Sequence, residues 1–299
     1  MITVFGSINM DLISTTERLP EPGETVAGLS FSTAPGGKGA NQTLAARRAG
    51  SHVAMVGAVG SDEFATPATA LLADAGVDLS ALKISDGATG TATILVGGDG
   101  ENVIVLNAAA NFTLNEDDAR AAVDRMSADD ILMLQLEIPA PAIRAALEAA
   151  RKKGVTSVLN TAPLTPQAAE LAALADIVIA NETEFERLVG AEELGSEGRI
   201  AMLKTHHDRT GQTMVITLGG DGVIAMHEGA FFKIDALKID PVDTVGAGDT
   251  FCGYLASGLE QGLSFEAAAH RASVAGALAC LKPGAQPSIP TADEVAKRL

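Results

Sequence analysis

The chain carries the segment Asp243-Thr244-Val245-Gly246-Ala247-Gly248-Asp249-Thr250-Phe251, in which small residues lead directly into an apolar run. The two glycines allow the backbone to approach a ligand closely, and the Ala-rich stretch 250–259 predicts the first turns of a buried helix. At a helix N-terminus the first N–H groups have no partner within the helix, and the macrodipole adds partial positive charge. We therefore expect the amides of Gly246, Ala247 and Gly248 to hold an anion such as a phosphoryl group.

Asp249 lies among these predicted donors. A carboxylate there can accept a proton from an attacking hydroxyl, which is the role needed when an alcohol attacks the terminal phosphate of ATP. Alternatively, Asp249 is a simple helix N-cap after a glycine turn, since Asp is common at N-caps and short glycine-rich motifs are weak signals. The segment alone leaves both interpretations open.

A second glycine-rich element reads Ala34-Pro35-Gly36-Gly37-Lys38-Gly39-Ala40-Asn41-Gln42 and opens a helix-like stretch over 40–49. Its glycines permit close backbone approach, and Lys38 and Asn41 are placed to donate to hydroxyl oxygens. The element is not a Walker A loop, because the G-x-x-x-x-G-K-[ST] spacing is absent. No G-x-G-x-x-G near the N-terminus predicts a dinucleotide site.

Composition narrows the class of protein. The 299 residues are 47% apolar and 20% charged, as in an ordinary globular α/β enzyme, and the formal net charge of −17 argues against a nucleic-acid or anionic-membrane partner. No apolar run is long enough to span a membrane, and the N-terminus reads as a strand rather than an export signal. Cys252 and Cys280 are expected to pack as small hydrophobes in a reducing cytoplasm.

Short β-branched runs alternate with Ala- and Leu-rich helical windows, as in 53–59 followed by 65–75. The alternation predicts an α/β fold with a central, mostly parallel sheet flanked by helices. Ligands in such folds bind beyond the carboxyl ends of the strands. The polar residues expected at those ends are Asn9, Asn160, Asn181 and Thr217.

Motifs quoted in order along nearly the whole chain resemble those of the phosphofructokinase B-type carbohydrate kinase family, and several are more typical of its ribokinase branch. They are Gly6-Ser7-Ile8-Asn9-Met10-Asp11, Gly36-Gly37-Lys38-Gly39-Ala40-Asn41-Gln42, Gln135-Leu136-Glu137, Asn181-Glu182-Thr183-Glu184, Thr217-Leu218-Gly219, the segment Asp243 to Phe251, and Gly284-Ala285-Gln286-Pro287-Ser288.

Two segments, 12–33 and 90–106, interrupt the alternation and indicate β structure without an intervening helix. The resemblance implies that they form a small, discontinuous β-sheet lid over the sugar, and that a homodimer forms through this sheet. No linker or repeat is evident. We therefore expect a single ribokinase-like domain over residues 1–299 together with its lid.

The resemblance implies a site for the hydroxyls of a pentose, with ribose favoured by the combination of Asp11 and Glu137. Fixed carboxylates and amides suit a furanose, because a mismatched sugar leaves buried polar groups unpaired. The alternative for Asn9 and Asp11 is a polar turn after the first strand. The implied sugar-binding residues are Asn9, Asp11, Gly37, Lys38, Asn41, Glu137 and Asp249.

For the nucleotide, Asn181 and Glu184 are expected to face the phosphates of ATP, with Glu184 orienting Mg²⁺ through water. The alternative without a binding role for Glu184 is a solvated carboxylate in the first turn of a helix. Ser273 stands where many relatives have Asn or His, which leaves the contacts to the base open. The implied nucleotide-binding residues are Asn181, Glu184, Thr217, Gly219, Gly220, Gly222, Gly248 and Ser273.

A monovalent-cation site for K⁺ is also implied, built mainly from backbone carbonyls on two loops. Lys282 replaces the usual Arg of the family, which matters little if only its backbone oxygen binds. The implied ligands are Asp243, Val245, Ala279, Lys282, Gly284 and Ser288.

The predicted reaction is phosphorylation of the 5-hydroxyl of D-ribose by ATP, with Asp249 as general base and the amides of residues 246–248 as anion hole. Two alternatives stay open. One is a related kinase acting on deoxyribose, a nucleoside, fructose or keto-deoxygluconate. The other is a catalytically silent sugar-binding protein on the same fold.

Overall fold

The computed structural model describes all residues from Met1 to Leu299. Its strands are β1 (Ile2–Phe5), β2 (Asn9–Thr16), β3 (Gly28–Gly36), β4 (Val53–Val56), β5 (Ala58–Val59), β6 (Lys83–Ile84), β7 (Gly90–Val96), β8 (Asn102–Asn107), β9 (Ile131–Leu134), β10 (Thr156–Asn160), β11 (Ile177–Asn181), β12 (Thr213–Thr217), β13 (Val223–His227) and β14 (Ala230–Ile234).

The helices are α1 (Lys38–Arg48), α2 (Ala65–Asp74), α3 (Glu116–Asp124), α4 (Ala140–Lys153), α5 (Ala168–Ala172), α6 (Glu182–Leu188), α7 (Ser196–Thr210), α8 (Ala247–Glu260), α9 (Phe265–Ala279), α10 (Ala285–Ser288) and α11 (Ala292–Ala296). None of them combines the length and the apolar character needed to cross a membrane.

The main sheet has eight strands in the order β14-β13-β12-β11-β10-β9-β1-β4. The six strands from β12 to β4 are parallel, and β13 and β14 complete the sheet as antiparallel strands. From β1 the chain first goes to β4 on one side and later to β9 on the other, so the strand order reverses beside β1. This switch point is where ligands bind in open α/β sheets, and Gly6-Ser7 and Gln135-Leu136-Glu137 follow its two strands.

The central strands are apolar along their whole length because helices cover both faces of the sheet. In β1, Ile2 and Val4 belong to one buried cluster, which packs against α1, α8 and α9, while Phe5 belongs to the cluster on the other face. The predicted α/β fold with a mostly parallel sheet and flanking helices is confirmed.

A second sheet has the order β3-β2-β7-β8. It is mixed, because β2 pairs parallel with β7 and antiparallel with β3, while β7 and β8 are antiparallel. Its strands reach somewhat beyond the predicted segments 12–33 and 90–106. Strand β2 begins at Asn9, shortly after the end of β1, and β3 ends at Gly36, directly before α1. The polar start of β2 and the Pro35-Gly36 end of β3 carry no strand signal in the sequence, so the pairing there was not predicted. The division into one domain and a lid stays a prediction.

The two glycine-rich helices begin earlier than the sequence indicated. Helix α8 begins at Ala247 rather than near Thr250, and α1 begins at Lys38 rather than Ala40. In both, a glycine with positive φ, Gly246 at 76° and Gly37 at 89°, is the N-cap and turns the chain directly into the helix. Apolar periodicity cannot detect a first turn made of glycine and polar residues.

Candidate functional site

Helix α8 begins at a tight turn against α10. A Cβ atom on Gly246 would lie 2.9 Å from the Cα of Ala285, so both the close packing and the left-handed backbone require glycine there. The amides of Gly246, Gly248 and Asp249 have no acceptor within the protein, whereas that of Ala247 donates to the Thr244 carbonyl at 3.3 Å. A Cβ on Gly248 would meet open space. The helix thus presents free donors toward an open cleft, as an anion site requires.

Asp249 is the third residue of α8 and is 7% exposed. Its carboxylate makes no capping bond. Instead Oδ2 accepts from Asn41 Nδ2 at 2.9 Å and Oδ1 accepts from Gln42 Nε2 at 3.0 Å. The N-cap interpretation of Asp249 is therefore wrong, because Gly246 fills that position and the carboxylate is directed across to α1.

Gly37 brings the start of α1 against the loop after β1, where a Cβ atom would lie 2.7 Å from the amide nitrogen of Asn9. Oε2 of Glu137 accepts from the Ser7 hydroxyl at 2.5 Å and from the Lys38 amide at 3.0 Å. The same hydroxyl accepts from the amide of Gly39 at 3.2 Å. These bonds fix the glycine-rich element and Glu137 together at the switch point.

Asn9 is 2% exposed, and its Oδ1 accepts from Asn111 Nδ2 at 2.8 Å. Asn111 also accepts from the Ile8 amide at 2.9 Å and donates to the Ile8 carbonyl at 3.1 Å. Asn9 is thus held in a buried network, and the alternative of a polar surface turn is wrong for it. Sequence analysis missed Asn111; the one signal is a single amide within an Ala-rich stretch.

Asp11 lies on β2 opposite Ala34. A Cβ atom on Gly36 would overlap the Asp11 carboxylate, so this glycine leaves the room that the carboxylate fills. Burial, with the Glu137 and Asp249 carboxylates nearby, raises the pKa of Asp11 to about 7, although Lys38 acts in the other direction. The structure therefore brings these acidic groups and Lys38 into one cluster.

Lys38 is the first residue of α1 and is half-buried. Burial lowers the pKa of its ammonium, but the carboxylates of Asp249, Glu137 and Glu184 more than offset this, so the net shift is upward. No ion pair to Lys38 forms within 4.0 Å, and its charge is therefore free to meet an anionic ligand.

Asn181 caps α6. Its Oδ1 accepts from the Glu184 amide at 2.8 Å, and Glu184 Oε2 accepts from the Asn181 amide at 2.9 Å, which is a capping box. The Thr161 hydroxyl, which sequence analysis missed, lies 3.5 Å from the same Glu184 oxygen. Glu184 thus has a structural role through one oxygen, and only its second oxygen is free of protein partners. The capping box is a role that neither interpretation of Glu184 included.

The remaining nucleotide candidates lie on the segment after β12 and on helix α9, and none of them hydrogen-bonds to another candidate side chain. Thr217 ends β12 half-buried, and Gly219 and Gly220 form an exposed turn after it. Gly222 has φ of 94° and packs against the backbone of β14, so its glycine is explained by the hairpin alone. Ser273 is buried in α9, and its hydroxyl has no hydrogen-bond partner in the protein.

The loops implied for K⁺ are joined by Asp243. Its Oδ1 accepts from the Val245 amide at 3.0 Å and its Oδ2 from the Gly284 amide at 2.8 Å. The Ser288 hydroxyl donates to the Ala285 carbonyl at 2.9 Å, and Ala279 is fully buried. The Lys282 ammonium turns away to Glu294 at 3.3 Å. The two loops therefore meet at Asp243, and the side chain of Lys282 points away from this junction.

No group of three or more His, Cys, Asp or Glu side chains is arranged to hold a metal ion. Any cation would thus depend on backbone carbonyls, on isolated carboxylates and on ligand phosphates. Arg47 and Arg48 at the end of α1 are half-buried. Arg48 donates to the carbonyls of Gln286 at 3.0 Å and Ile289 at 2.6 Å, because this helix end lies against the α10 segment.

A family model described as pfkB family carbohydrate kinase matches residues 1–292. A ribokinase of Haemophilus influenzae is 38% identical to this chain over 98% of the chain and 96% of its own length. A deoxyribokinase of Salmonella typhi is 32% identical over 98% of this chain and 96% of its own length.

Among solved structures, Arabidopsis thaliana ribokinase complexed with ribose and ATP has a TM-score of 0.88 and 30% identity to this chain, covering 99% of this chain and 97% of that one. The sequence matches and the structural match each cover almost the full length of the chain. The chain belongs to the pfkB family of carbohydrate kinases.

Proposed function

We propose that this chain is an ATP-dependent sugar kinase that transfers the γ-phosphoryl group of ATP to the 5-hydroxyl of D-ribose, giving ribose 5-phosphate and ADP. The sequence relationship to a ribokinase at 38% identity supports the substrate. Likeness to a ribokinase structure that holds ribose and ATP supports both ligands.

One observation carries the proposal: a buried carboxylate, Asp249, lies in the first turn of a helix whose amides at Gly246, Gly248 and Asp249 have no protein acceptor. A general base and an anion site are thereby within one turn of each other. Phosphoryl transfer to an alcohol needs this combination, because a proton leaves the nucleophile while negative charge develops on the transferred group.

In the proposed reaction Asp249 accepts the proton of the sugar's primary hydroxyl while the oxygen of that hydroxyl forms the new bond to the γ-phosphorus. The bond from that phosphorus to the bridging oxygen breaks in line, and the electron pair leaves with ADP. The α8 amides stabilise the equatorial oxygens, and the free ammonium of Lys38 adds positive charge between the two halves of the cleft.

The sugar is held by the polar cluster at the switch point. Asn41 Oδ1 is buried without a partner and is ready to accept from a sugar hydroxyl. Asp11 and the second oxygen of Glu137 supply acceptors, Asn9 lies in the network of Asn111, and the backbone of Gly37 approaches closely. A sugar that lacks a hydroxyl leaves one of these groups unpaired.

The nucleotide phosphates extend toward Asn181 and Glu184, and the adenosine toward the loop at 217–222 and Ser273. The free oxygen of Glu184 fits a water-mediated hold on Mg²⁺, which would neutralise phosphate charge when bound. The Asp243 carboxylate links the two loops by accepting from the Val245 and Gly284 amides, and this closeness of the two loops supports a K⁺ site between them. The proposed ligands there are Asp243, Val245, Ala279, Lys282, Gly284 and Ser288.

We further propose that the second sheet covers the sugar and joins two chains as a homodimer. Its strands β3 and β8 expose Leu29, Phe31 and the run Val103 to Leu106, with Leu29 and Phe31 65% and 67% exposed. Apolar strands of this kind favour burial against a second copy. A cytoplasmic location belongs to the proposal, since both cysteines are free and buried.

The test is ADP release from ATP with Mg²⁺ and K⁺ across ribose, deoxyribose, fructose, adenosine and keto-deoxygluconate. We expect turnover to depend on ribose and to collapse in Asp249→Asn. Deoxyribose is the second candidate, because a deoxyribokinase is 32% identical to the chain. Turnover on another sugar alone would refute the substrate and keep the mechanism. No turnover on any acceptor would favour the silent binder.

A further inference from the structure

A continuous chain of buried amide side chains leads to Asp249, and the proposed function does not use it. Gln135 Nε2 donates to Gln42 Oε1 at 2.6 Å. Gln42 Nε2 donates to Asp249 Oδ1 at 3.0 Å and to Asn160 Oδ1 at 3.1 Å. Gln42 and Gln135 are 1% and 0% exposed, so neither reaches a ligand in the open cleft.

The donor and acceptor roles in this amide network are set from the Ile179 carbonyl of the main sheet. Asn160 Nδ2 donates to the Ile179 carbonyl at 3.2 Å, which turns Asn160 Oδ1 toward Gln42. Facing one acceptor in Asn160 and another in Asp249, Gln42 must present its NH₂ to both. Its Oε1 then faces Gln135. A flipped Gln42 would set oxygen against the oxygens of Asn160 and Asp249, so the main sheet fixes the donor.

Both oxygens of Asp249 therefore accept from α1, but the two donors differ. Asn41 has a buried Oδ1 without a partner and faces the proposed sugar site. Gln42 has both N–H groups and its carbonyl in use. It is anchored to Asn160 at the end of β10 and to Gln135 directly after β9. Gln42 is thus the donor that stays in place while Asn41 engages the sugar.

We propose that Gln42 is the positioning residue of the base: it holds Asp249 Oδ1 and so fixes the orientation in which Oδ2, which also accepts from Asn41, meets the substrate hydroxyl. This inference rests on the proposed function. A hydrogen bond to the charged form of an acid favours that form, and a fixed partner restricts the carboxylate to one orientation. The titratable groups around Asp249 are Asp11, Glu137, Lys38 and Cys252.

The decisive variant is Gln42→Met, which keeps the length of the side chain and removes both donors. We expect kcat to fall about 10- to 100-fold with a KM for ribose within about threefold of the native value, because orientation of the base is lost rather than sugar contacts. The acid limb of the kcat/KM profile should move to higher pH by about one unit. In an Asp249→Asn background the same change should add less than about twofold.

A readout independent of turnover separates this inference from the proposed function. In ligand-free protein labelled with ¹³C at aspartate carboxyls, the Asp249 signal is identified by its loss in Asp249→Asn. Its titration midpoint should rise in Gln42→Met, more in Gln42→Glu, and less in Gln135→Met, which acts one bond further away. If ribose is not phosphorylated at all, this titration still tests the coupling.

The matched control is Gln212→Met, because Gln212 Nε2 donates to the carbonyls of Ala172 and Ala175 at 2.6 Å each, outside the proposed site. It should lower the melting temperature without moving kcat or the Asp249 signal. An unchanged Asp249 midpoint in both Gln42 variants would overturn the proposal. So would a loss of kcat from Gln42→Met that is equally large with Asp249 and with Asn at position 249.

Discussion

The acceptor side of the cleft and its nucleotide side are built in different ways. On the acceptor side Asp249, Asn41 and Gln42 are buried and joined by side-chain hydrogen bonds of 2.9 and 3.0 Å. On the proposed nucleotide side Asn181, Gly219 and Gly220 are exposed, so the proposed contacts there would come mainly from backbone groups. Side chains that are held before the ligand arrives contribute most to catalysis, so substitutions should matter far more on the acceptor side.

The largest expected effect is that of Asp249→Asn on the acceptor side. Loss of the base should lower kcat about 10²- to 10⁴-fold, and the melting temperature should fall by a few degrees because Asn cannot accept from both Asn41 and Gln42 as the carboxylate does. Steady-state ADP release with ribose measures it. Asp208→Asn, at an exposed position on α7, is the matched control and should stay within about twofold. A variant that retains more than about a tenth of native kcat would remove Asp249 from the role of base.

The second prediction concerns the pH dependence of sugar binding. Because the pKa of Asp11 is raised to about 7, the carboxyl is protonated in a growing fraction of molecules as pH falls below that value. A sugar hydroxyl needs the ionised acceptor, so the Kd for ribose should rise by up to about tenfold per pH unit below pH 7. Calorimetric titration between pH 5.5 and 8 measures this, and Asp11→Asn should bind about 10- to 100-fold more weakly at pH 8 without that slope.

The raised pKa of Asp11 also predicts how stability depends on pH. Falling pH weakens ribose binding but should stabilise the fold. A carboxyl whose pKa is higher in the folded than in the unfolded chain stabilises the fold at low pH, and this contribution is lost as pH rises from about 4 to about 7. Asp11→Asn should therefore raise the free energy of unfolding by about 1 to 3 kcal/mol at pH 8 and by little at pH 4. Equal stabilisation at both pH values would contradict the buried, ionised carboxylate.

The sequence predicted the main sheet well because its signals are local. Asn181 was expected at a strand end and is the last residue of β11, and α2 was predicted at 65–75 and is found at Ala65–Asp74. Such predictions need only composition and periodicity. The candidate acceptor residues stood in motifs, and their binding of a sugar stays a prediction. Gln42 stood in one of those motifs, yet nothing in its identity shows a bond to Asp249, 207 residues away.

What the sequence could not predict depends on long-range packing. Asn111 has no motif around it, and its role exists only because the turn after β8 lies against Ile8 and Asn9. The capping box of Asn181 and Glu184 fits an ordinary helix start as well as a phosphate site. Local pattern gives the same signal for both, and only the three-dimensional contacts separate them.

A fourth prediction compares two glycines of the same turn. Gly246→Ala forces a side chain into φ of 76° and against Ala285, and should lower the free energy of unfolding by about 1 to 3 kcal/mol together with activity. Gly248→Ala has open space before it and should leave stability within about 0.5 kcal/mol. Its methyl group would face the phosphoryl group, so the KM for ATP should rise about tenfold. Full activity of Gly248→Ala would place the phosphate elsewhere.

The smallest effects are expected at the proposed K⁺ site, where backbone dominates. Asp243→Asn cannot accept from both the Val245 and Gly284 amides as the carboxylate does, so the K⁺ concentration for half-maximal activity should rise several-fold, by about 3- to 10-fold. The midpoint of thermal stabilisation by K⁺ in ligand-free protein should shift in parallel. Rb⁺ and Na⁺ serve as the comparison cations, since a general salt effect would not distinguish them.

Lys282→Ala is the counterpart in the same loop and should change that half-maximal concentration by less than about twofold. Its ammonium lies 3.3 Å from Glu294, and both side chains are about half exposed, so the pair contributes little to stability. Only the carbonyl of residue 282 is proposed to face K⁺, and alanine keeps it. A large loss of K⁺ response in Lys282→Ala, equal to that in Asp243→Asn, would mean that a side chain rather than the backbone controls this side of the cleft, and the contrast between the two halves would fail.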